Sequence, residues 1–290
     1  MSSYIISPFL SLITSILLFL GCCEIGKIII LKFRLTETIK TASIVEFQYP
    51  TFGIIIIALL GFPLVAFTHL AETILKLLAY ILIICGLNFL YYSRNIYLKV
   101  KFKNKEISFY IYLIILILYF LLALSPLTAA DVLDYHAGVA LNILRFNQYI
   151  LLPEWFTGLQ AGHGEVLIAL GFVVGAEQFG SLVQFSSLLT VSGIIISFCK
   201  KKNLDKSKFF LILTVFSCPI LIFLLSGNKP QIFYSSLLFL SLAFNFTKFR
   251  SKTIDFKIYL IINILICICV MGKFSFNLTG ALIWIYSTFN

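Results

Sequence analysis

The sequence predicts an all-α, polytopic integral membrane protein with about nine transmembrane helices and an outward-facing loop that carries juxtamembrane helices. Three observations predict this class: 60% of the 290 residues are hydrophobic, only 12% are charged, and the mean hydropathy is +1.04. Such a chain has too little polar surface to coat a soluble globule. Because a bilayer span needs about 20 largely apolar residues, we expect lipid to solvate most of the chain.

Apolar runs separated by charged residues define the predicted spans, none of which has an acidic residue in its middle. The nine runs cover residues 4–23, 51–70, 74–93, 108–126, 181–199, 209–227, 231–247, 258–272 and 278–289. The last run reaches the end of the chain without a polar tail. This predicts that the last helix is cut short and that the chain is C-terminally incomplete.

The charge of the connecting loops predicts their sides of the membrane. Residues 94–106, 200–208 and 248–257 carry net charges of +4, +4 and +3, and such basic loops are typically cytoplasmic. Residues 127–180 carry a net charge of −4 and are therefore expected outside. The overall net charge of +10 comes from short basic runs between apolar stretches, so it indicates membrane topology and no nucleic-acid partner.

The number of crossings between these loops constrains the stretch 164–199. An outer loop near residue 160 and an inner loop near residue 200 require an odd number of crossings, but this stretch contains two apolar runs. The run Val166 to Val174 is short and bounded by glycines. We therefore expect residues 164–176 to form an interfacial or re-entrant helix that does not cross the bilayer.

The acidic loop begins with a segment that offers chemistry. Pro126 ends the preceding helix, and a new helix is expected after Thr128. Asp131 and Asp134, three residues apart, would then project from one face of it. Two such carboxylates can bind a divalent cation or act as a general base, whereas Thr128 and Asp131 also have the spacing of a helix cap. Spacing alone favours neither interpretation.

Further functional side-chain types follow within the same loop. They are His136, Arg145, Glu154, His163 and Glu165. Their concentration in one outward segment is what favours chemistry over capping, because the other predicted outer turns contain few such residues.

The string Asp131-Val132-Leu133-Asp134-Tyr135-His136 resembles the D-x-L-x-Y-H element in the first large outer loop of GT-C superfamily glycosyltransferases. The similar members are bacterial relatives of dolichyl-phosphate-mannose protein mannosyltransferases. The stretches Leu152 to Glu154 and Gly162 to Gly171 resemble the part of these enzymes that runs from the loop through a juxtamembrane helix into the next span. The stretch Ser226 to Pro230 resembles a later outer turn. In that turn Gln231 replaces the family's usual acid, and Ala130 stands where a tryptophan or an acid usually precedes the motif.

The resemblance divides the chain into two regions and implies a function. Residues 1–107 hold N-terminal spans and a basic cytoplasmic loop, and residues 108–290 form a GT-C-like transmembrane module with the outer loop 127–180. Such enzymes transfer a sugar from a polyprenyl-phosphate-linked donor to an acceptor on the extracytoplasmic face. The acceptor would be an envelope lipid, glycan or protein, and the location a bacterial inner membrane with the site on its outer face.

The resemblance also implies roles for individual residues. Asp131 takes the position of the family's catalytic carboxylate, which would act as a base and accept the hydroxyl proton of the acceptor. Asp134 would assist Asp131 or share a divalent cation with it. The implied substrate-binding residues are His136, Arg145, Glu154, His163, Glu165 and Lys229. Of these, Arg145 and Lys229 are cations that would stabilise the leaving phosphate. A lysine at a helix end also commonly snorkels to the membrane interface.

Two other classes of protein remain open at this stage. A secondary transporter or lipid flippase would have similar composition, but coupled transport usually needs an ionisable side chain within a span. A non-catalytic membrane scaffold subunit would not need the acidic outer loop. Removing the Asp131 carboxylate distinguishes the three classes, because only an enzyme would lose turnover while remaining folded.

Overall fold

The computed structural model describes residues 6–97, 107–130, 132–150, 162–204, 207–248 and 256–289, and these ranges contain helices and no strand. The α-helices are α1 (Pro8–Lys32), α2 (Thr36–Lys40), α3 (Val45–Phe67), α4 (Ala71–Tyr97), α5 (Ile107–Ala123), α6 (Gly138–Phe146), α7 (His163–Phe172), α8 (Phe179–Lys201), α9 (Lys208–Phe216), α10 (Pro219–Leu225), α11 (Gln231–Lys248), α12 (Phe256–Gly272) and α13 (Asn277–Phe289). A π-helix (Val132–Ala137) precedes α6, and a 3₁₀ turn (Phe274–Phe276) precedes α13.

The all-helical class and the presence of apolar helices long enough to span a membrane are confirmed. Four helices in the described ranges meet the length and hydropathy of a span, namely α1, α3, α4 and α8, and the pair α9 and α10 makes a fifth if counted together. Helices α5, α11 and α12 are apolar but shorter. The number of nine spans therefore stays a prediction.

The span predicted over residues 209–227 contains a break, because the chain bends by 67° between α9 and α10. Pro219 stands at the first turn of α10 and has no backbone N–H for a helix that would run through it. The residue before it, Cys218, has ψ 117 and is extended, as expected before a proline. The result is a broken span or a re-entrant element.

The prediction that no span contains an acidic residue is wrong for α1, which continues past residue 23 to Lys32. Glu24 lies within this helix and is only 5% exposed. Its carboxylate accepts a hydrogen bond from Asn88 Nδ2 of α4 at 3.1 Å and lies 3.3 Å from Lys27 Nζ. Because these two partners compensate the buried charge, the helix does not need to end at Glu24.

Glycines bring α1, α3 and α4 into close contact. A Cβ atom added to Gly53 of α3 would overlap the Cys22 carbonyl of α1, and one added to Gly26 of α1 would overlap the Tyr49 carbonyl. A Cβ added to Gly21 would likewise overlap Leu82 of α4. Small residues that allow backbones to approach are typical of helix packing in membranes.

The short helix α7 lies inside the helical assembly. All residues from His163 to Gly171 are buried, and α7 contacts α3, α4, α6, α8 and α12. At 1.5 Å per residue its 10 residues extend about 15 Å, half the thickness of the hydrocarbon core. A helix of this length covers only about half of the hydrocarbon core, and the expectation that residues 164–176 do not cross the bilayer stays a prediction.

Candidate functional site

The segment of the D-x-L-x-Y-H string follows α5 and leads directly into α6. The helix expected after Thr128 is present over Val132–Ala137, with π-helical rather than α-helical hydrogen bonding. Single π-helical turns within helices occur frequently at functional sites. Asp134 is exposed here and His136 is buried, whereas Asp131 lies outside the described residues.

His136 and Glu165 form a buried pair that links the π-helix to α7. Nδ1 of His136 lies 2.7 Å from Oε1 of Glu165, and the two residues are 3% and 1% exposed. An ionised carboxylate can only accept hydrogen bonds, so with Glu165 ionised the proton is on Nδ1 of the imidazole. This contact fixes the orientation of the ring.

The second carboxylate oxygen of Glu165 belongs to the start of α7. The backbone N–H of Gly162 donates to Oε2 at 2.7 Å. A glutamate at the third helical position that accepts from the residue before the helix is half of a capping box. Glu165 thus uses both oxygens within the protein, and it positions His136 and α7 together.

His163 occupies a different environment from His136. It is 1% exposed, and its ring lies against Phe62 of α3 with the centroids 4.5 Å apart. Burial lowers the pKa of His163 to about 4, against a smaller opposing effect of Glu165. Within the described ranges its Nδ1 has no hydrogen-bond partner.

The loop Ser226–Pro230, between α10 and α11, packs against both the π-helix and the start of α7. A Cβ atom added to Gly227 would lie 2.8 Å from Val132 Cγ2, at the start of the π-helix. A Cβ added to Gly164 would lie 2.5 Å from Pro230 Cγ. The π-helix, the start of α7 and this loop are far apart in sequence, and the fold brings them together.

Lys229 is held within this loop and is only 5% exposed. Its Nζ lies 4.1 Å from the centroid of the Phe223 ring, a cation–π distance. The neighbouring Asn228 accepts from Ser181 Oγ at 3.0 Å and donates to the Glu177 carbonyl at 3.2 Å. These bonds fix the loop against the start of α8.

Asp134 and Arg145 are the exposed members of the predicted set among the described residues. They lie on one continuous helical stretch, 11 positions apart, which separates them by about 15 Å. Arg145 stands in the last turn of α6, where a cation is favourable for the helix dipole. The fold therefore does not bring Arg145 to Asp134, and Glu154 lies outside the described residues.

Three tyrosines surround the buried pair and were not singled out from the sequence. The Tyr135 ring lies 4.2 Å from that of His136. Burial raises the pKa of Tyr135 and Tyr149, and the Glu165 carboxylate raises both further. The Tyr234 hydroxyl is buried without a hydrogen-bond partner in the described part of the chain. Tyr135 belongs to the D-x-L-x-Y-H string, but Tyr149 and Tyr234 have no local signal because only the fold places them here.

A metal ion bound by the protein would need several His, Cys, Asp or Glu side chains close together. No group of three or more His, Cys, Asp or Glu side chains with metal-binding geometry occurs among the residues that the structure describes. The two predicted metal ligands were Asp131 and Asp134, of which only Asp134 is described. The divalent cation therefore stays a prediction.

The candidate site lies at one end of α3, and a basic surface that contains Lys40, Lys200 and Lys201 lies at the other end. Phe62 and Val65 contact the site, through the His163 ring and through a hydrogen bond from the Tyr149 N–H to the Val65 carbonyl at 3.2 Å. Val45, 20 residues away, is about 30 Å distant along the helix, which equals the hydrocarbon thickness. Lys201 donates to the Thr41 carbonyl at that second end.

Apolar helices of spanning length together with a buried polar cluster at one end define a helical membrane protein. The chain belongs to the DUF1420 family, because residues 88–290 match the model described as the DUF1420 N-terminal domain. The match includes the π-helix, α7 and the loop Ser226–Pro230. It begins within α4, so α1 and α3 lie outside it.

Comparison with curated proteins and with solved structures gave no match for the chain.

Proposed function

We propose that the chain is a membrane glycosyltransferase of GT-C type, which transfers a sugar from a polyprenyl-phosphate-linked donor to an acceptor at the extracytoplasmic face. One observation carries this proposal. The π-helix, the start of α7 and the loop Ser226–Pro230 meet in one cluster, and all three belong to the stretches that resemble the GT-C enzymes.

The cluster supports a division of roles between exposed and buried residues. Asp131, next to the π-helix in sequence, is the proposed base that accepts the acceptor's hydroxyl proton as the hydroxyl attacks the anomeric carbon. Asp134 is exposed and available to orient the acceptor. Glu165 uses both of its oxygens within the protein and one of them holds the His136 ring, so the proposed role of this pair is to position the π-helix rather than to bind the bulk of the substrate.

The leaving group is a phosphate, so the mechanism needs positive charge beside the segment. Lys229 is the proposed source, because its loop touches Val132 of the π-helix. Its position over the Phe223 ring keeps the ammonium group at a defined place. Arg145 is about 15 Å from Asp134 and is better assigned to the end of α6.

The location of the cluster suits a lipid-linked donor. It lies at the end of α3, and a polyprenyl phosphate presents its phosphate at the membrane surface. The acidic residues of this end and the lysines of the opposite end support an outward-facing site.

The decisive test is the replacement of Asp131 by asparagine. Asp131→Asn keeps the size and much of the hydrogen bonding but cannot accept a proton, so turnover should fall by roughly two to four orders of magnitude. Asp134→Asn is the matched control, with a smaller loss expected. The assay follows sugar transfer from a polyprenyl-phosphate donor in membranes that contain equal amounts of each variant. Near wild-type transfer by Asp131→Asn would remove the catalytic assignment.

A transporter is the second candidate, and Glu24 is the observation that favours it. An ionisable side chain buried within a span-length helix is a functional candidate by default in membrane proteins. Its bonds to Asn88 and Lys27 also suit a purely structural role that joins α1 to α4. Substrate flux that is lost in Glu24→Gln and kept in Asp131→Asn would establish transport instead of transfer.

A further inference from the structure

A cavity of about 290 Å³ lies at the end of α3 opposite the candidate site. Its walls come from α1, α2, the start of α3 and the last turns of α8. Val45 and Ile196 line its apolar part, and Ser43, Lys40 and Lys200 line its polar part. The volume is close to the lower limit of about 300 Å³ for ligand pockets, which suits a headgroup better than a whole lipid.

Further basic residues lie at this end of α3, in addition to Lys40 and Lys200 that line the cavity. Lys200 and Lys201 form the last turn of α8, and Lys32 ends α1 one residue after the cavity-lining Leu31. Glu46 also lines the cavity and opposes a bound anion. The net balance of the surface is basic, and basic loops mark the cytoplasmic side, whose leaflet is rich in anionic lipid.

The apolar rim of the cavity continues onto the outer surface of α1. Leu31 lines the cavity and is 55% exposed, and Ile28, one turn earlier, is 46% exposed. Large exposed apolar side chains on a span-length helix are expected to face acyl chains. A ligand with a polar head in the cavity can therefore extend apolar chains along α1.

We propose that this cavity binds the headgroup of an anionic phospholipid of the cytoplasmic leaflet, with Lys40 and Lys200 on the phosphate and the acyl chains along α1. The proposal is independent of the transferase function, because it uses none of the residues of the candidate site.

Lys40 is available for such a ligand although it already has a partner. Its Nζ lies 2.7 Å from Oε1 of Glu37, but the two side chains are 57% and 82% exposed. An exposed ion pair of this kind contributes little to stability, so a phosphate can replace the carboxylate at low cost.

The test measures lipid binding to the purified full chain by native mass spectrometry. The probes are dioleoylphosphatidylglycerol and dioleoylphosphatidylcholine, which have the same acyl chains and differ in headgroup charge. Lys40→Gln combined with Lys200→Gln should weaken phosphatidylglycerol binding by about 30-fold and leave phosphatidylcholine binding unchanged. Lys32→Gln combined with Lys202→Gln removes the same charge from exposed positions outside the cavity lining, where salt screens it, and should change binding by less than about 3-fold.

A gain of binding separates this proposal from a failure of folding. Glu46→Gln removes the opposing carboxylate and should tighten phosphatidylglycerol binding by about 5-fold. Equal losses in the two double variants, or no gain in Glu46→Gln, would overturn the proposal. Displacement of the bound lipid by low-millimolar inorganic phosphate would also overturn it, because the ligand would then be a soluble phosphate.

Discussion

At the scale of single residues, Glu165 connects the parts of the candidate site. One of its oxygens contacts His136 and the other accepts from the Gly162 N–H, and the side chain is almost fully buried. A carboxylate is the side chain that can accept both hydrogen bonds at once. The same bonds explain why a residue predicted to bind substrate is enclosed by the protein instead.

Glu165→Gln should therefore destabilise the fold. The amide keeps one accepting oxygen, so either one of the two donors loses its acceptor or the His136 ring must change tautomer to accept from the amide NH2, at a cost of about 1–3 kcal/mol. Thermal melting of the detergent-purified variant measures the loss. Glu177→Gln is the matched control, because within the described ranges the Glu177 carboxylate accepts a hydrogen bond from the Leu127 N–H, which an amide oxygen can also accept. Equal melting temperatures for wild type and Glu165→Gln would contradict this role.

His163 predicts how stability depends on pH. Its folded-state pKa of about 4 lies below the ordinary value of 6.5, so between these values the unfolded chain binds a proton that the folded chain does not. Stability should be fully present above pH 6.5 and should fall by up to about 3 kcal/mol as the pH drops to 4.

Melting temperatures recorded between pH 4 and pH 7 test this dependence. His163→Phe cannot become charged and packs beside Phe62, so its melting curve should lose most of the decline. His69→Gln is the control, since His69 is exposed and its removal should leave the decline in place. If the melting temperature of His163→Phe fell with pH as steeply as that of the wild type, other titratable groups would cause the pH dependence.

At the scale of elements, α1, α3 and α4 depend on glycines for their close contact. Gly53 and Gly61 are both on α3, but they differ in what a side chain would meet. A methyl group at Gly53 would overlap the Cys22 carbonyl, whereas one at Gly61 would lie 3.5 Å from Val166 Cγ1, an ordinary contact distance.

Gly53→Ala should consequently destabilise the protein by about 1–3 kcal/mol, because α1 and α3 must move apart. Gly61→Ala, on the same helix, should change stability by less than about 0.5 kcal/mol. Thermal melting and the yield of monodisperse protein compare the two variants. Similar losses in both would mean that the effect belongs to α3 as a helix and not to the contact with α1.

At the scale of the whole molecule, α3 separates an acidic, polar cluster from a basic surface by about the thickness of a bilayer. The proposed orientation places the cluster outside and the lysines inside. Single-cysteine labelling in intact cells with a membrane-impermeant thiol reagent tests it. Glu154→Cys should react at once, and Lys202→Cys should react only after the membrane is permeabilised.

The native thiols must not obscure this measurement. Cys218 and Cys267 are exposed and are replaced by serine in the parent chain. The parent without an added cysteine provides the background. Labelling of Lys202→Cys in intact cells would reverse the orientation, and with it the proposed face of the candidate site.

Local composition was sufficient to predict the helical class, the approximate positions of the helices and the shortness of α7. The apolar runs between charged residues overlap α1, α3, α4 and α8. They do so because a membrane helix makes its backbone hydrogen bonds within one segment of the chain, and the same segment must be apolar to be solvated by lipid. The D-x-L-x-Y-H string and the stretch Gly162 to Gly171 were likewise identified from local sequence.

Tertiary contacts decided the features that the sequence misassigned. Glu24 did not end α1, because Asn88 of another helix and Lys27 compensate its charge. The pairing of His136 with Glu165 joins positions 29 residues apart. Buried polar groups are stable only with partners that the fold delivers, and the identity of those partners is a property of packing rather than of any local pattern.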